Sequence, residues 1–243
     1  MPSDPLPFSL LEKMSNLQSS ILNPQSLRLV FMGTPDFAVP SLQKLLDGED
    51  AVVGVLTQPD QPSGRGMAMH APPVKMLAAS HDIPVFQPAK LRIPGVLEQL
   101  HAWHPDLIIV TAYGKILPNA ILDLPPLGCI NVHASLLPKY RGAGPIQWAI
   151  AQGETETGIT IMRISERMDS GGILLQKAIP ISPRDTGGTL HGKLAQLGAD
   201  TLVEALGLLK QGQFVARPQN EADVTYAPLI RKRMVVLTGV ARR

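Results

Sequence analysis

Short apolar runs of strand length recur along this chain and alternate with longer segments of helical periodicity. This rhythm begins at Leu27 and predicts repeated strand-helix-strand units, which place their strands side by side in a mostly parallel sheet. Three runs are almost continuously apolar, as expected for strands covered by helices on both faces. The predicted strands are 27–33, 51–58, 106–113, 129–136, 158–165 and 174–181. The predicted helices are 37–47, 72–80, 94–103, 143–152 and 186–211, the last with N-cap candidates Asp185 and Thr186.

The composition is that of a globular protein with one large domain. The chain has 243 residues, of which 44% are apolar and 17% charged. The single cysteine, Cys129, cannot form an internal disulfide, and no Cys and His grouping has zinc-site spacing, so we expect a reducing compartment and no metal. No apolar run approaches the ~20 residues that cross a bilayer, and no signal peptide is recognisable. We therefore expect a cytoplasmic protein without a membrane partner.

The net charge of +2 comes entirely from the tail at 231–243, which holds five basic residues and no acid. Residues 1–230 carry a net charge of −3. Composition thus gives no support for a generally basic nucleic-acid face, and any RNA contact must come from local patches.

The chain divides into four stretches on pattern alone. Residues 1–26 are rich in Pro and Ser without a sustained period and are expected to be a poorly ordered leader, although translation could equally begin at Met14. A main domain is expected over 27–212, followed by a connector at 213–230 and the aberrant basic tail at 231–243. A transit peptide is disfavoured because the leader contains acids and no arginine.

The first predicted strand runs into GTPDFAVPSL at 33–42, which places a tight turn and a helix start at the carboxyl end of that strand. Open α/β sheets bind ligands at this edge. A dinucleotide fingerprint would need further glycines where Pro35 and Ala38 stand, so that interpretation fails. A turn held by Pro35 and Asp36 explains the segment equally well.

A second constellation combines an amide, an imidazole and a distant acid. Asn131 and His133 lie two apart on a predicted strand and so project from the same face. A lone strand histidine is usually a core residue, but the neighbouring amide, the proline-marked loop that follows and an acid elsewhere favour a reactive site. The acid is Asp169 in RMDSGG, a segment that would also suit an Asx turn.

Taken in order, these segments resemble the folate-dependent formyltransferases, and in particular the methionyl-tRNA formyltransferases. The resemblance covers roughly 27–230 and is carried by GTPDFAVP, the SGRG loop, VTAYGKILP, GCINVHASLLPKYRGAGPIQWAI, RMDSGG and TYAPLI. It implies the formyltransferase fold, a Rossmann-like open twisted sheet with helices on both faces. It also implies that Asn131, His133 and Asp169 are the catalytic trio.

These residue types suit formyl transfer. Attack of an amine on a formyl group creates a negative oxygen, which an imidazolium and an amide can hold as two donors. A carboxylate can orient the imidazole and pass the surplus proton of the amine to water. No covalent enzyme intermediate is required, so Cys129 need not react and is expected to be a small buried packing residue.

The resemblance implies that the donor, 10-formyltetrahydrofolate, binds as a co-substrate in a cleft beside the trio. From the residues alone, the backbone at Tyr113 and Gly114 could hydrogen-bond a pterin edge, although a plain turn explains it nearly as well. By resemblance, the walls of the cleft are formed by Tyr113, Gly114, Ile116, Leu117, Ser135, Leu136, Leu137 and Pro138.

A Pro- and Gly-rich loop between Gln58 and Lys75 is too long to be a simple connection. In the family, a loop at this place enters the acceptor stem of initiator methionyl-tRNA, and Arg65 stands where the loop arginine does. The sequence departs from more basic versions by reading Met67 and Ala68, which weakens the expected electrostatic grip. The other histidines are assigned to surface or packing: His70, His81, His101, His104 and His191.

The expected activity is formyl transfer to the α-amine of methionine on initiator tRNA, by a monomer. Family members carry a further β-barrel domain after TYAPLI, whereas RKRMVVLTGVARR shares nothing with that continuation, as a frameshift or a truncation would produce. We therefore expect normal folate binding but poor use of tRNA. The alternatives are a transferase for a small amine, such as glycinamide ribonucleotide or an amino sugar, and an inactive folate- or RNA-binding fragment. The SGRG loop and TYAPLI disfavour the small amine.

Overall fold

The computed structural model describes residues 26–63, 68–213 and 215–230. The strands, in chain order, are β1 (Arg28–Gly33), β2 (Ala51–Leu56), β3 (Gln61–Ser63), β4 (Ala68–His70), β5 (Val85–Phe86), β6 (Leu107–Thr111), β7 (Cys129–His133), β8 (Glu156–Arg163) and β9 (Ile173–Pro180). The helices are α1 (Val39–Leu46), α2 (Pro73–Ser80), α3 (Pro94–Trp103), α4 (Asn119–Leu122), α5 (Pro145–Ala151) and α6 (Gly187–Lys210). Two short 3₁₀ turns lie at Asp36–Ala38 and Glu221–Asp223.

Seven strands form one sheet in the order β5-β2-β1-β6-β7-β8-β9. Pairing is parallel from β5 through to β7, and antiparallel between β7 and β8 and between β8 and β9. The predicted α/β class with a mostly parallel sheet is therefore confirmed.

Two separate cores cover the two faces of this sheet. Along β1, Leu29 and Phe31 enter one core with residues of α1 and α6, whereas Val30 and Met32 enter the other with residues of α3. Alternate strand residues point to opposite faces, so a strand buried on both sides must be apolar throughout. This explains the nearly continuous apolar runs that the sequence contains.

Helix α6 begins where the sequence predicted. The Thr186 hydroxyl accepts a hydrogen bond from the Thr189 N–H, and the Thr189 side chain in turn accepts from the Thr186 N–H. This reciprocal cap satisfies two N–H groups that a helix start otherwise leaves unpaired.

Several predicted strands end earlier than their apolar patterns suggested. The strand predicted at 106–113 ends at Thr111, because Ala112 takes a left-handed backbone with φ of 48°. The strand predicted at 129–136 ends at His133, and the chain then bends so that the Ser135 carbonyl accepts from the Thr160 hydroxyl. Elements of two to four residues, such as β5 and α4, were not predicted because they are too short to show a period.

The sheet has a topological switch point at β1. Its two neighbours are β2 on one side and β6 on the other, so the connections leaving the carboxyl ends of β1 and β6 diverge and open a crevice. Ligands of open α/β sheets bind in such crevices.

Residues 215–230, within the predicted connector, pack back on the domain. Arg217 forms an antiparallel bridge with Ile173, and Tyr226 forms a parallel bridge with Arg141. The division of the chain into leader, main domain, connector and tail stays a prediction. Helices in the described part are all too short or too polar to cross a membrane.

Candidate active site

A cavity of about 570 Å³ opens at the carboxyl ends of the central strands, within the size range of small-molecule sites. It lies at the switch point of the sheet. Its lining comes from segments within 35–37, 110–117, 131–134, 142–147 and 162–169, together with His191. The site is thus assembled from strand ends and loops that are spread over most of the described chain.

Asn131 and His133 both line this cavity, as their spacing on β7 predicted. Strand β7 is fixed between β6 and β8, with Asn131 opposite Val110 on one side and Met162 on the other. His133 is buried, with 6% of its surface exposed. The position of both side chains is therefore set by the sheet rather than by a mobile loop.

The imidazole of His133 stands between two oxygen acceptors. Its Nε2 lies 3.0 Å from the Tyr140 carbonyl oxygen, and its Nδ1 lies 3.7 Å from Asp169 Oδ2. A neutral ring carries a proton on one nitrogen only, whereas an imidazolium can donate on both sides. The Nε2 edge of His133 is thus held at hydrogen-bond distance, whereas the Nδ1 edge makes only a longer contact with Asp169.

Asp169 reaches the cavity from the loop between β8 and β9. Its backbone is left-handed, with φ of 50°, a conformation that is uncommon outside glycine and is found at functional sites. One carboxylate oxygen, Oδ2, accepts a hydrogen bond of 2.8 Å from the Gly142 N–H. The three predicted catalytic residues therefore meet in one cavity, while their chemical roles stay a prediction.

All four residues of the predicted donor wall after β6, Tyr113, Gly114, Ile116 and Leu117, line the cavity, and their contact with a donor stays a prediction. Within the described residues, the N–H groups of Gly114, Lys115 and Ile116 donate to no protein group. The Tyr113 carbonyl, in contrast, already accepts from Gln58 Nε2 at 3.0 Å. The backbone groups of this wall that have no partner among the described residues are therefore the N–H groups from Gly114 onwards.

The side chain of Tyr113 is 1% exposed and packs in the core that contains Val30. Its hydroxyl finds no hydrogen-bond partner among the described residues, and burial raises its pKa to about 12. At neutral pH this phenol stays protonated. Its contribution to the cavity is shape rather than charge.

The second predicted donor wall, Ser135 to Pro138, does not line the cavity. The Ser135 hydroxyl donates to the Lys139 carbonyl at 2.7 Å, and the Leu137 N–H donates to Thr160 Oγ1 at 3.1 Å. Leu137 is buried against Met162 and Ile173. These bonds fix the turn after β7 to β8, and contact of Ser135 to Pro138 with a donor stays a prediction.

Phe37 and His191 line the cavity although neither was predicted to do so. Their rings meet edge to face with centroids 5.2 Å apart, and His191 Nε2 lies 3.7 Å from Asp36 Oδ1. The two aromatic residues come from the first loop and from α6, far apart in sequence. The sequence pattern around each residue does not indicate that the two side chains lie near each other. Their meeting at the cavity is visible only in the folded chain.

The Pro- and Gly-rich loop forms a small hairpin of β3 and β4. Arg65, the predicted tRNA contact, lies outside the described residues. At the base of the hairpin, Lys75 Nζ contacts both oxygens of Asp60 at 2.9 and 2.7 Å, and Gln87 Nε2 donates to Asp60 Oδ1 at 2.7 Å. Hydrogen bonds from Gln87 and then Lys75 hold the pKa of Asp60 below its ordinary value. These contacts of Asp60, the residue before β3, therefore connect the start of the hairpin to α2 and to the end of β5.

Cys129 is buried, as expected, and burial followed by the charge of Asp123 raises its pKa to about 12. A thiol with so high a pKa is not a nucleophile near neutral pH. Among the described residues, no three His, Cys, Asp or Glu side chains are grouped so that they could hold a metal ion.

Comparison with known families explains this arrangement. Residues 27–206 match the family model described as formyl transferase. The chain belongs to the formyl transferase family.

Relatives of this chain include methionyl-tRNA formyltransferases from bacteria. That of Desulfotalea psychrophila is 57% identical over 208 residues, which cover 86% of this chain and 64% of the relative. That of Trichlorobacter lovleyi is 54% identical over 205 residues, which cover 84% of this chain and 65% of the relative. The chain thus spans a little under two thirds of the length of these relatives.

Solved formyl transferases share the fold. Glycinamide ribonucleotide transformylase 1 from Symbiobacterium toebii superposes with a TM-score of 0.66 at 23% identity, covering 81% of this chain and 96% of that protein. WlaRD, a sugar 3N-formyl transferase solved in the presence of dTDP and 5-N-formyl-THF, gives a TM-score of 0.63 at 18% identity, covering 84% of this chain and 70% of that protein. At this identity the likeness extends to the fold alone.

Proposed function

We propose that this formyl transferase moves a formyl group from 10-formyltetrahydrofolate to the α-amine of methionine on initiator tRNA. The observation that carries the proposal is the meeting of Asn131, His133 and Asp169 in one cavity at the switch point of the sheet. The identity of 57% and 54% with two methionyl-tRNA formyltransferases favours this acceptor over a small amine.

The donor would bind along the wall that follows β6. Unpaired N–H groups at Gly114, Lys115 and Ile116 offer a row of donors to the polar edge of a reduced pterin. Lys115 itself is engaged elsewhere, since its Nζ donates to the carbonyls of Pro88 and Ala89 at 2.6 and 2.9 Å. Recognition by this wall therefore rests on its backbone.

In the proposed reaction, a bond forms between the amine nitrogen and the formyl carbon, and the bond from that carbon to the folate nitrogen breaks. The amine loses one proton, and the folate nitrogen gains one. The oxygen of the formyl group becomes negative on the way, and the Asn131 amide with the Nδ1 edge of His133 would stabilise that charge. Asp169 would orient the ring and accept the proton of the amine, and water would carry that proton to the departing folate nitrogen.

The RNA partner would be gripped locally. Strands β3 and β4 pair as a hairpin, and Arg65, which lies between them in the sequence, is proposed to contact the acceptor stem. All three proposed catalytic residues come from one chain, so we expect a monomer to be sufficient. A lone buried cysteine is in keeping with the reducing cytoplasm.

The proposal is tested by single-turnover formyl transfer with the chain in excess over acceptor, so that weak RNA binding does not hide the chemistry. Labelled 10-formyltetrahydrofolate is offered with charged initiator tRNA, with glycinamide ribonucleotide and with an amino sugar. We expect label on the methionine of the tRNA and none on the small amines. Transfer to a small amine alone, or to no acceptor, would contradict the proposal.

A further inference from the structure

Residues 217–228, which we call the strap, lie across the loop between β7 and α5. The Arg141 N–H donates to the Thr225 carbonyl at 2.9 Å, and the Ala227 N–H donates to the Arg141 carbonyl at 2.7 Å. The Gly144 N–H also donates to the Ala227 carbonyl, at 2.9 Å. The strap therefore adds a short stretch of parallel backbone pairing to this loop.

The strap also holds a buried charge. Arg141 is 1% exposed, and its guanidinium donates from Nε and Nη2 to Gln219 Oε1 at 3.0 and 2.8 Å. Nη2 and Nη1 also donate to the two carboxylate oxygens of Glu221, at 2.8 and 3.3 Å. Burying a guanidinium costs free energy unless its N–H groups are hydrogen-bonded. Moving the strap away would remove the acceptors of Arg141, so the buried charge stabilises the strap in this position.

Gln219 connects this pair to the proposed catalytic acid. Its Nε2 donates to the carbonyl oxygens of Asp169 and Gly171, both at 2.8 Å. Its oxygen is already used by Arg141, so both ends of the carboxamide are engaged. Asp169 has the left-handed backbone, and Gln219 clamps the carbonyl groups on both sides of the Ser170 residue that follows it.

The carboxylate of Asp169 is held from the opposite side by the same loop. Gly142 donates its N–H to Asp169 Oδ2 and has φ of 120°, which favours glycine. A Cβ at Gly142 would lie 2.8 Å from the Ala227 carbonyl oxygen, so only glycine lets the strap approach this closely. Strap, loop and acid form one hydrogen-bonded unit beside His133.

We infer that Gln219 and Arg141 are positioning residues for Asp169, so that the strap is a working part of the active site rather than a connection. The inference rests on the proposed function. Neither residue lines the cavity: Gln219 donates to the backbone carbonyl of Asp169, and Arg141 holds the oxygen of Gln219. A displacement of about 1 Å in such a group is enough to cost about 10²-fold in rate.

Two substitutions of Gln219 separate positioning from simple packing. Gln219→Glu keeps an acceptor for Arg141 but replaces the donor to Asp169 and Gly171 with an oxygen that their carbonyls repel. Gln219→Leu removes both functions. We expect each variant to lower kcat by about 10²-fold with little change in KM for the folate donor. Gln211→Glu, at the exposed end of α6, is the matched control and should keep wild-type rates. Wild-type kcat in Gln219→Glu would overturn the inference.

A double-mutant cycle excludes general destabilisation. In an Asp169→Asn background, Gln219→Leu should cause no further loss of kcat, because the group that it positions is already disabled. An additional loss equal to that in the wild-type background would mean that Gln219 acts elsewhere, and would overturn the inference.

A readout without turnover separates this inference from the proposed function. The Gly142 N–H reports the place of the Asp169 carboxylate, so its hydrogen exchange should become at least tenfold faster in Gln219→Leu and stay unchanged in Gln211→Glu. If the wild type transfers no formyl group, the proposed function fails while the exchange result still decides the positioning. Unchanged Gly142 exchange in Gln219→Leu would overturn the inference by itself.

Discussion

His133 owes its special place to its neighbours on both sides. A strand histidine buried among apolar groups would need one partner, whereas this ring faces an oxygen at each nitrogen. One of these oxygens belongs to the backbone carbonyl of Tyr140, which can accept a hydrogen bond but does not titrate. The other belongs to the Asp169 carboxylate, a group of a kind that can accept a proton. The Nε2 contact of 3.0 Å is the shorter one, and the 3.7 Å contact on the Asp169 side is the one that we propose takes part in the reaction.

We expect His133→Ala and Asp169→Asn each to lower the rate of formyl transfer by about 10²-fold or more, because each removes a charge-stabilising or proton-transfer group. The measurement is single-turnover transfer to charged initiator tRNA. His101→Ala, an exposed histidine on α3, serves as control and should retain the wild-type rate. Near wild-type turnover in either variant would remove that residue from the mechanism.

The strands and helices of the domain could be predicted from pattern, but their ends and the site walls only in part. Nearly continuous apolar runs sufficed to predict β1, β2 and β6, because a strand that is buried on both faces is apolar throughout. The ends depended on single backbone angles such as that of Ala112, which periodicity does not record. Ser135 to Pro138 do not line the cavity, and the hydroxyl of Thr160, on β8, holds that turn, so the wall predicted there stays a prediction.

Asn131 and His133 could be predicted as a pair because two residues of spacing on a strand fixes their common face. Gln219 and His191 could not, because their roles depend on contacts across 50 residues or more of sequence, as the bond from Gln219 to Asp169 illustrates. An interpretation of 213–230 as a connector follows naturally from its polar composition. Its bonds to Arg141 are visible only after folding.

For the hairpin, we expect Arg65→Ala to lower kcat/KM for charged initiator tRNA and to reduce the salt dependence of RNA binding by about one unit of slope. Folate-analogue binding should not change, because the donor wall belongs to another loop. Asp60→Asn should act in the same direction by loosening the base of the hairpin. Arg92→Ala, an exposed arginine outside the hairpin, is the control. A fall in folate affinity in Arg65→Ala would contradict this division of labour.

Across the whole molecule, the site lies over a sheet with a core on each face, and the core that contains Val30 also holds the titratable residues Tyr113 and Cys129. Cys129 is 3% exposed, and burial raises its pKa to about 12 from 9.0. An acid whose pKa is raised on folding favours the folded state below its unfolded pKa, and that contribution disappears as the pH rises towards the folded value. The fold should therefore weaken in alkali.

We expect the free energy of unfolding to fall faster with pH in the wild type than in Cys129→Ala between pH of about 10 and 11, by about 1.4 kcal/mol per unit. Denaturant titrations at several pH values measure this difference. Ile121→Val is the control, because Cys129 Sγ contacts the Ile121 carbonyl and the substitution removes packing without a titrating group. It should lower stability equally at every pH, and parallel curves for Cys129→Ala and wild type would show that the thiol is not buried as described.

The bond between Arg141 and Gln219 has a consequence for how the sequence can change over generations. Losing Gln219 alone leaves a buried guanidinium short of acceptors, and losing Arg141 alone leaves the Gln219 oxygen without its donor. Replacing either residue alone lowers the stability of the fold, whereas replacing both with apolar residues of similar shape lowers it little. Substitutions at these two positions, 78 residues apart, should therefore be correlated among related sequences.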